Sequence, residues 1–181
     1  DGKASQVVVD GSARLGGKPV MGRTGHSLIK QLMAETGAEL AGEMSGHIFF
    51  AHRYYGFDDA LYAAVRLLAV LATSPSSLAD IHDAMPAMRN TPELRIDCPD
   101  SRKFAVIEEV RARLARQPNI EVQALDGVRV NTRDGWWLLR ASNTQPVLVG
   151  RCEARDEAGL AGLLDTLRQQ LHLSGVAARD L

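Results

Sequence analysis

The stretch GVRVNTRDGWWLLRASNTQPVLVGRC, residues 127–152, decides the fold of the C-terminal half of the chain. Residues 127–132 and 136–139 are rich in β-branched, aromatic and aliphatic side chains, and Asp134-Gly135 lies between them, so the pattern predicts a β-hairpin. Residues 146–152 form another apolar run and predict a further strand. Residues 140–146 therefore lie in a loop between two strands.

Two amphipathic helices accompany these strands. Residues 101–117, with Ser101 as the expected cap, and residues 156–171 carry apolar side chains at helical spacing. The positions expected to face inward are Phe104, Ile107, Val110 and Leu114 in the first helix and Leu160, Leu163, Leu164, Leu167 and Leu171 in the second. Together with a strand expected at residues 93–98, they predict a small α+β domain with an antiparallel sheet.

The N-terminal half has a different pattern of predicted helices and strands. Two prolines within residues 85–92 predict a linker, which divides the chain into residues 1–88 and 89–181. Ahead of the linker, apolar spacing predicts helices over residues 24–36, stopped by Gly37, and over residues 58–72, with a short helix from Ser77. Short strands are expected at residues 38–41 and 46–50. The stripe expected to be buried in the longest helix is Leu61, Val65, Leu68 and Ala69.

Two further segments predict strands on propensity alone. Val7-Val8-Val9 is a β-branched run, and Pro19-Val20-Met21 follows a glycine-rich turn.

Composition excludes several classes of protein. The 181 residues include 21 Lys and Arg against 22 Asp and Glu, a formal charge of -1, whereas a duplex nucleic-acid binder has a basic surplus. No apolar run approaches the roughly 18–20 residues that span a bilayer. The two cysteines, Cys98 and Cys152, are too few for a disulfide framework or a zinc knuckle. We therefore expect a cytoplasmic chain with no nucleic-acid or membrane partner. Because it opens at Asp1-Gly2-Lys3 without Met, we expect it to be a segment of a longer protein.

The loop Arg140-Ala141-Ser142-Asn143-Thr144-Gln145-Pro146 concentrates hydrogen-bond donors. A phosphate dianion is bound by several donors and a fixed cation, which a guanidinium, hydroxyls, a carboxamide and turn amides supply. Ordinary turn chemistry explains the same residue types, because Ser, Asn and Thr populate turns. Spacing alone leaves both interpretations open.

A second polar loop, Gly42-Glu43-Met44-Ser45-Gly46-His47, lies between two expected strands. On an extended backbone the side chains of Glu43 and Ser45 point the same way, and a carboxylate beside a hydroxyl suits vicinal sugar hydroxyls. His47 is a candidate proton donor or phosphate contact. A solvated glutamate and a packed histidine are the alternative. We interpret Asp58-Asp59 as a helix start rather than a catalytic carboxylate pair.

Four motifs taken together resemble the α-D-phosphohexomutase superfamily, in particular its bacterial phosphomannomutase/phosphoglucomutase branch. They are Thr24-Gly25-His26-Ser27, the loop 42–47, Gly56-Phe57-Asp58-Asp59 and the loop 140–146. Met44 is typical of this branch, since phosphoglucosamine mutases usually carry Gln there. The resemblance covers the third domain, without its first strand, and the whole fourth domain. It implies an α/β fold: a truncated three-layer α/β mutase domain over 1–88, with residues 4–15 helical, then a small α+β domain over 89–181.

The resemblance also implies roles for individual residues. Glu43, Ser45 and His47 would bind the sugar, and Lys3 and His26 would line the cleft. The phosphate that is not transferred would be bound by Arg140, Ser142, Asn143 and Thr144. These two polar clusters would hold opposite ends of one phosphorylated hexose. The implied reaction interconverts hexose 1-phosphate and hexose 6-phosphate of glucose or mannose through a bisphosphate and an enzyme phosphoserine.

The family's phosphoserine loop and its acidic Mg²⁺ loop are absent from these 181 residues, and Asp10-Gly11-Ser12 and Asp126-Gly127-Val128 do not match them. We therefore assign no catalytic residue and no metal ligand, and we expect no turnover from this chain alone. Mg²⁺, glucose 1,6-bisphosphate as activator and the N-terminal domains would belong to the parent enzyme. A non-catalytic phosphosugar-binding module or a structural fragment is the alternative.

Overall fold

The structure, a computed structural model, describes residues 1–115, 117 and 120–178 and divides the chain into two units, Asp1–Pro86 and Ala87–Leu181. Each unit has its own buried apolar cluster. The last three residues of the segment 89–181, like 116, 118 and 119, lie outside the described residues. Among the described residues, no helix is both long and apolar enough to cross a membrane.

Unit 1, Asp1–Pro86, contains a three-stranded antiparallel sheet in the order β1-β2-β3. Its buried cluster consists of Ile29 and Met33 from the second helix and Phe49 from the central strand. The elements in chain order are α1 Gln6–Arg14, α2 His26–Thr36, β1 Leu40–Gly42, β2 Ile48–Phe50, β3 Phe57–Asp58, α3 Ala60–Thr73 and α4 Leu78–Asp83.

The β-branched run at residues 7–9 is helical, so the propensity-based strand is wrong and the helix implied by the resemblance is confirmed. The Ser5 side chain caps this helix by accepting a hydrogen bond from Val7 N at 3.1 Å. Gln6 also bonds Asp10 one turn later, at 2.9 Å. These local bonds outweigh a β propensity that is worth only a fraction of a kcal/mol per residue. Residues 19–21 are likewise not a strand.

Helix α2 ends where the sequence predicts, because Gly37 takes the left-handed conformation at φ 68°. Its start differs from the prediction. Gly25, not Thr24, is the N-cap residue, and as a glycine it makes no side-chain cap hydrogen bond to the first turn.

Helix α3 contacts the sheet through an unexpected face. Tyr62 packs edge-on against Phe50 at 5.5 Å, and Arg66 lies over the Phe50 ring at 4.6 Å. The predicted buried stripe is therefore wrong: Leu61 is 82% exposed and Leu68 64% exposed, and Val65 and Ala69 are exposed too. The reason is geometric, because Tyr62 and Arg66 directly follow Leu61 and Val65 and so lie about 100° further round the helix than the aliphatic row.

Unit 2, Ala87–Leu181, is built on a six-stranded antiparallel sheet in the order β4-β9-β8-β7-β6, with β5 also paired to β9. Two helices pack on one face of it. The elements are β4 Arg89–Asn90, β5 Leu94–Asp97, α5 Asp100–Leu114, β6 Glu121–Gln123, β7 Val128–Asn131, β8 Gly135–Ala141, β9 Val147–Ala154 and α6 Glu157–Leu173. The expected fold class, mixed α/β with an antiparallel second sheet, is confirmed.

The predicted hairpin is confirmed as β7 and β8, whose register pairs Val130 with Trp137. Gly135 starts β8 at φ 155°, where a Cβ atom would lie 2.0 Å from the carbonyl oxygen of Glu153. Two predictions near α5 are wrong. The N-cap is Pro99, not Ser101, and Phe104 is 57% exposed because Lys103 and Val106 take its place on the buried face. The other predicted inward positions of α5, Ile107, Val110 and Leu114, are buried.

The other face of the β7–β9 sheet holds a buried polar network. The indole of Trp136 donates a hydrogen bond to Glu153 Oε1 at 2.9 Å, and the Arg129 guanidinium lies 3.8 Å from the centre of the Trp136 ring. Burial lowers the pKa of Arg129 to about 10, while the negative charge of Glu153 opposes that shift.

The aromatic side chains are divided between the units. Both tryptophans, Trp136 and Trp137, are fully buried in unit 2. All three tyrosines, Tyr54, Tyr55 and Tyr62, lie in unit 1, where Tyr54 stacks on Tyr62 at 3.9 Å.

Candidate functional site

The loop between β1 and β2 is a tight turn. Gly46 N donates to the carbonyl of Glu43 at 3.0 Å, and Glu43 N donates to the carbonyl of His47 at 2.9 Å. Gly46 has φ 92°, a conformation that favours glycine. The backbone is therefore not extended here, and the expectation that Glu43 and Ser45 project side by side from a strand is wrong. Glu43 is 9% exposed, whereas Ser45 and His47 are exposed.

The buried Glu43 connects this turn to the start of helix α2. Its Oε1 atom accepts a hydrogen bond from Gly25 N at 2.8 Å. Asp1 makes a second connection, because its carboxylate accepts from Met44 N at 3.3 Å and from the Thr24 hydroxyl at 3.3 Å. The segments 24–26 and 42–47, which are separate motifs in the sequence, are thus held together by carboxylates.

A carboxylate also joins the two histidines of these segments. Asp58 Oδ2 bonds Nδ1 of His47 and lies 3.7 Å from Nε2 of His26. The two imidazole rings are edge-to-face with centroids 6.0 Å apart, and His26 packs on Phe49 at 5.1 Å. An ionised carboxylate only accepts hydrogen bonds, so the proton of neutral His47 lies on Nδ1 and its Nε2 carries the lone pair.

Sequence reasoning missed the role of Asp58 by reading it with Asp59 as a helix start. Only Asp59 serves that purpose, accepting from Tyr62 N at 2.9 Å. Its pKa is lowered, first because the Tyr54 hydroxyl donates to it at 2.5 Å. The signal that could have found Asp58 is redundancy, since one carboxylate is enough to cap a helix. Lys3, the other predicted cleft residue, is buried in the turn ahead of α1.

In unit 2 the predicted phosphate loop follows strand β8. Ser142 is buried, and its hydroxyl oxygen accepts from Thr144 N at 3.4 Å and from Gln145 N at 3.2 Å. Asn143 and Thr144 are exposed at the tip. The loop is closed where Ser142 N donates to the carbonyl of Val147 at 3.0 Å. Ser142 therefore shapes the turn, and the side chains of Asn143 and Thr144 are accessible to a ligand.

Arg140 is held by a residue that sequence reasoning did not select. Its Nε lies 3.1 Å from Asp126 Oδ2, and both side chains are nearly buried. The adjacent Gly127 lies so close to the same strand that a Cβ atom at this position would be 2.3 Å from the carbonyl oxygen of Leu139. Asp126 thus forms an ion pair with the guanidinium of Arg140, and Gly127 lies against the backbone that carries it.

Two more cations contact Gln145 at the end of the loop. Lys103 Nζ donates to the Gln145 carbonyl at 3.0 Å, and Arg95 bonds the Gln145 side chain. Cys98 N donates to the carbonyl of Pro146 at 3.0 Å. Burial raises the pKa of the Cys98 thiol, so this cysteine is a packed neutral group rather than a nucleophile.

The described residues contain no site that fits the implied Mg²⁺. Within residues 1–115, 117 and 120–178 there is no group of three or more His, Cys, Asp or Glu side chains that could hold a metal ion. We therefore assign no metal-dependent step to these residues.

Comparison with known families follows the two units closely. Residues 2–88 match the model described as phosphoglucomutase/phosphomannomutase, alpha/beta/alpha domain III, and residues 93–170 match the model of the phosphoglucomutase/phosphomannomutase C-terminal domain. The chain belongs to the phosphohexomutase superfamily. The resemblance expected from the four sequence motifs is confirmed, including the phosphoglucomutase/phosphomannomutase branch.

Individual relatives of this chain agree with the family assignment. It is 49% identical over 156 residues to phosphomannomutase/phosphoglucomutase from Pseudomonas aeruginosa PAO1, an alignment covering 86% of this chain and 34% of that protein. It is 44% identical over 161 residues to phosphoglucomutase from Neisseria gonorrhoeae, covering 88% of this chain and 35% of that protein.

A crystal structure of a phosphoglucomutase/phosphomannomutase family protein from Burkholderia thailandensis is similar in fold. Its TM-score is 0.88 at 41% identity, over 99% of this chain and 38% of that one. The chain spans about a third of the length of the curated relatives it matches.

Proposed function

We propose that this chain is the sugar- and phosphate-recognition part of a phosphohexomutase that interconverts hexose 1-phosphate and hexose 6-phosphate. The observation that carries the proposal is that both family motif loops, 42–47 and 140–146, are held in shape by part-buried polar contacts. Pre-shaped polar loops bind a ligand without first paying the entropy of ordering. Family membership supports the reaction class, and glucose and mannose are the proposed sugars.

In unit 1, the proposed ligand group is a set of sugar hydroxyls. Oε1 of Glu43 is engaged by Gly25 N, so Oε2 is the oxygen we assign to a hydroxyl, with Ser45 beside it at the exposed tip of the turn. Because Asp58 engages Nδ1 of His47, Nε2 is the nitrogen that exchanges a proton with a sugar hydroxyl. His26 and Lys3 are proposed to line the same region.

In unit 2, the proposed ligand group is the phosphate that is not transferred. Arg140 supplies a positioned guanidinium, and Ser142, Asn143 and Thr144 supply hydroxyl, carboxamide and backbone donors. A loop that binds only the phosphate can serve both sugar orientations that a mutase requires. One orientation presents the phosphate on O1 and the other presents it on O6.

The transfer itself is proposed to use the phosphoserine of the parent enzyme. Its P–O bond breaks as a P–O bond forms to the free hydroxyl of the sugar phosphate, whose proton leaves to a base. The resulting bisphosphate turns round, and its other phosphoryl group returns to the serine. Mg²⁺, held by other parts of the parent enzyme, would neutralise phosphate charge. This chain contributes recognition and proton exchange.

The test is a titration of the chain with glucose 1-phosphate and glucose 6-phosphate, followed by amide NMR signals. We expect signals of both loops, 42–47 and 140–146, to move with each ligand. A ligand at about 100 times its Kd should also stabilise the fold by about 2.7 kcal/mol. Binding of neither sugar phosphate, or movement of signals elsewhere only, contradicts the proposal.

Two substitutions separate the loop functions. Arg140→Ala should weaken both sugar phosphates and inorganic phosphate, since it removes the phosphate cation. Glu43→Gln should weaken the sugar phosphates but not inorganic phosphate. Arg133→Ala is the matched control, because Arg133 is an exposed arginine at the opposite end of strand β8. Unchanged affinities in Arg140→Ala would remove that loop from the proposal.

A further inference from the structure

Lys103, on the first turn of α5, is a lysine in a position where an apolar side chain would be ordinary. Its side chain is 5% exposed, and it lies on the face that also carries the buried Val106 and Ile107. Burying an ammonium group costs several kcal/mol unless it is paired and hydrogen-bonded. A residue needed only for packing would not carry that charge.

The charge of Lys103 is only partly neutralised by its carboxylate partner. Nζ lies 2.6 Å from Asp100 Oδ1, but the Asp100 side chain is 71% exposed, so water and salt screen its charge. The buried ammonium is screened much less. Positive potential therefore remains where Nζ donates to the Gln145 carbonyl at 3.0 Å.

That carbonyl belongs to the peptide group that ends the loop 140–146. The amide N–H of Gln145 is engaged as well, because it donates to the Ser142 hydroxyl at 3.2 Å. With Cys98 N bonded to the next carbonyl, that of Pro146, the end of the loop is fixed from the side of β5 and α5. The tip residues, Asn143 and Thr144, are exposed.

We propose that Lys103 is a positioning residue for phosphate recognition: it anchors the Gln145 carbonyl and places a buried positive charge against the loop that binds the phosphate. The inference rests on the proposed function of loop 140–146. Lys103 does not itself touch the ligand. It acts by fixing the loop and by raising the local potential for a dianion.

The experiment measures the affinity of the 181-residue chain for inorganic phosphate and for glucose 1-phosphate at low and high salt. Lys103→Met should weaken both by about tenfold at low salt, equivalent to about 1.4 kcal/mol. It should also reduce the salt dependence of binding, because one cation is lost. Lys103→Arg should restore most of the affinity.

Arg111→Met is the matched control. Arg111 lies on the same helix, is half-exposed and pairs with Glu108, so its loss should change affinity less than twofold. If the wild-type chain binds neither ligand, the proposed function fails and this inference fails with it. If the wild type binds and Lys103→Met binds equally well, only the role of Lys103 is overturned.

A second variant covers the case in which Lys103→Met does not fold. Asp100→Asn keeps Lys103 and removes its counter-charge, so phosphate should bind about two- to threefold more tightly at low salt and no differently at high salt. Glu108→Gln removes a charge from the same helix away from the loop and is the comparison. Equal affinities in the two variants would overturn the proposal, because phosphate binding would then not respond to the charge that faces Lys103.

Discussion

Glu43 gives the sharpest test of how unit 1 is held together. Its buried carboxylate accepts from Gly25 N at 2.8 Å, directly ahead of helix α2. Glu43→Ala removes the acceptor and leaves that N–H unpaired. Glu43→Gln keeps an acceptor oxygen of similar reach but removes the charge.

The magnitudes follow from these two losses. A hydrogen bond to a charged group contributes about 1.5–3 kcal/mol, and a carboxylate near a helix N-terminus contributes about 0.3–1 kcal/mol more. We therefore expect Glu43→Ala to destabilise unit 1 by about 2–3 kcal/mol. We expect Glu43→Gln to cost about 1 kcal/mol, because only the charge-dependent part is lost.

Hydrogen exchange measured by mass spectrometry is the assay, since it resolves each unit separately. Peptides from α2 should lose protection in the order Ala variant, Gln variant, wild type, while peptides from α6 in unit 2 stay unchanged. Glu35→Ala is the control: Glu35 is exposed on the same helix and bonds Gln31 at 2.7 Å, a pair worth less than about 0.5 kcal/mol. Equal losses in the Ala and Gln variants, or a loss no larger than in the control, would refute the reasoning.

Three further predictions concern stability and reactivity. Glu153→Ala should destabilise unit 2 by about 3–5 kcal/mol, because Arg129 stays buried without its opposing charge. The measurement is urea unfolding monitored by amide hydrogen exchange of β8, and a cost below about 1 kcal/mol contradicts the prediction. The pKa of Asp59 in the folded chain is below its ordinary value of 3.8. The ionised carboxylate therefore stabilises α3 fully above pH 3.8, and this stabilisation is lost as the pH falls through the lowered pKa of the folded state. In the wild type, the hydrogen-exchange protection of α3 should fall as the pH drops below 3.8, whereas in Asp59→Asn it should depend less on pH. Identical pH profiles of protection in the two proteins would contradict this prediction. Burial raises the pKa of Cys152 to about 12, so this thiol should resist a thiol reagent at pH 8 until the chain is denatured. Labelling of the native chain at the rate of a free thiol would contradict this and show that β9 opens readily.

Local signals predicted the parts of the fold that depend on neighbouring residues. Asp134-Gly135 predicted the hairpin because the turn needs a positive φ at Gly135, and Gly37 predicted the end of α2 for the same reason. The leucines of α6 predicted its buried face, since the helix lies on a sheet that covers one side only. Each of these features is decided within a few residues of sequence.

The predictions that failed depend on what a segment touches in three dimensions. The valines at 7–9 have strand propensity, but a cap from Ser5 makes the segment helical. The aliphatic row of α3 looks like a core stripe, yet Tyr62 and Arg66 make the contacts with the sheet.

The same applies to the candidate site. Resemblance supplied the residues to inspect, such as His47 and Arg140, but not the groups that hold them. Asp58 is 11 residues from His47, Asp126 is in a different turn from Arg140, and Lys103 is 42 residues from Gln145. No periodicity links these pairs, so only coordinates reveal them.

The division of aromatic residues between the units makes the chain its own pair of optical probes. With all phenols in one unit and both indoles in the other, light absorbed only by indole reports unit 2, and tyrosine emission reports unit 1. One unlabelled sample therefore yields two melting curves. Excitation transfer from phenol to indole measures in solution how far apart the two chromophore groups lie, with and without a sugar phosphate.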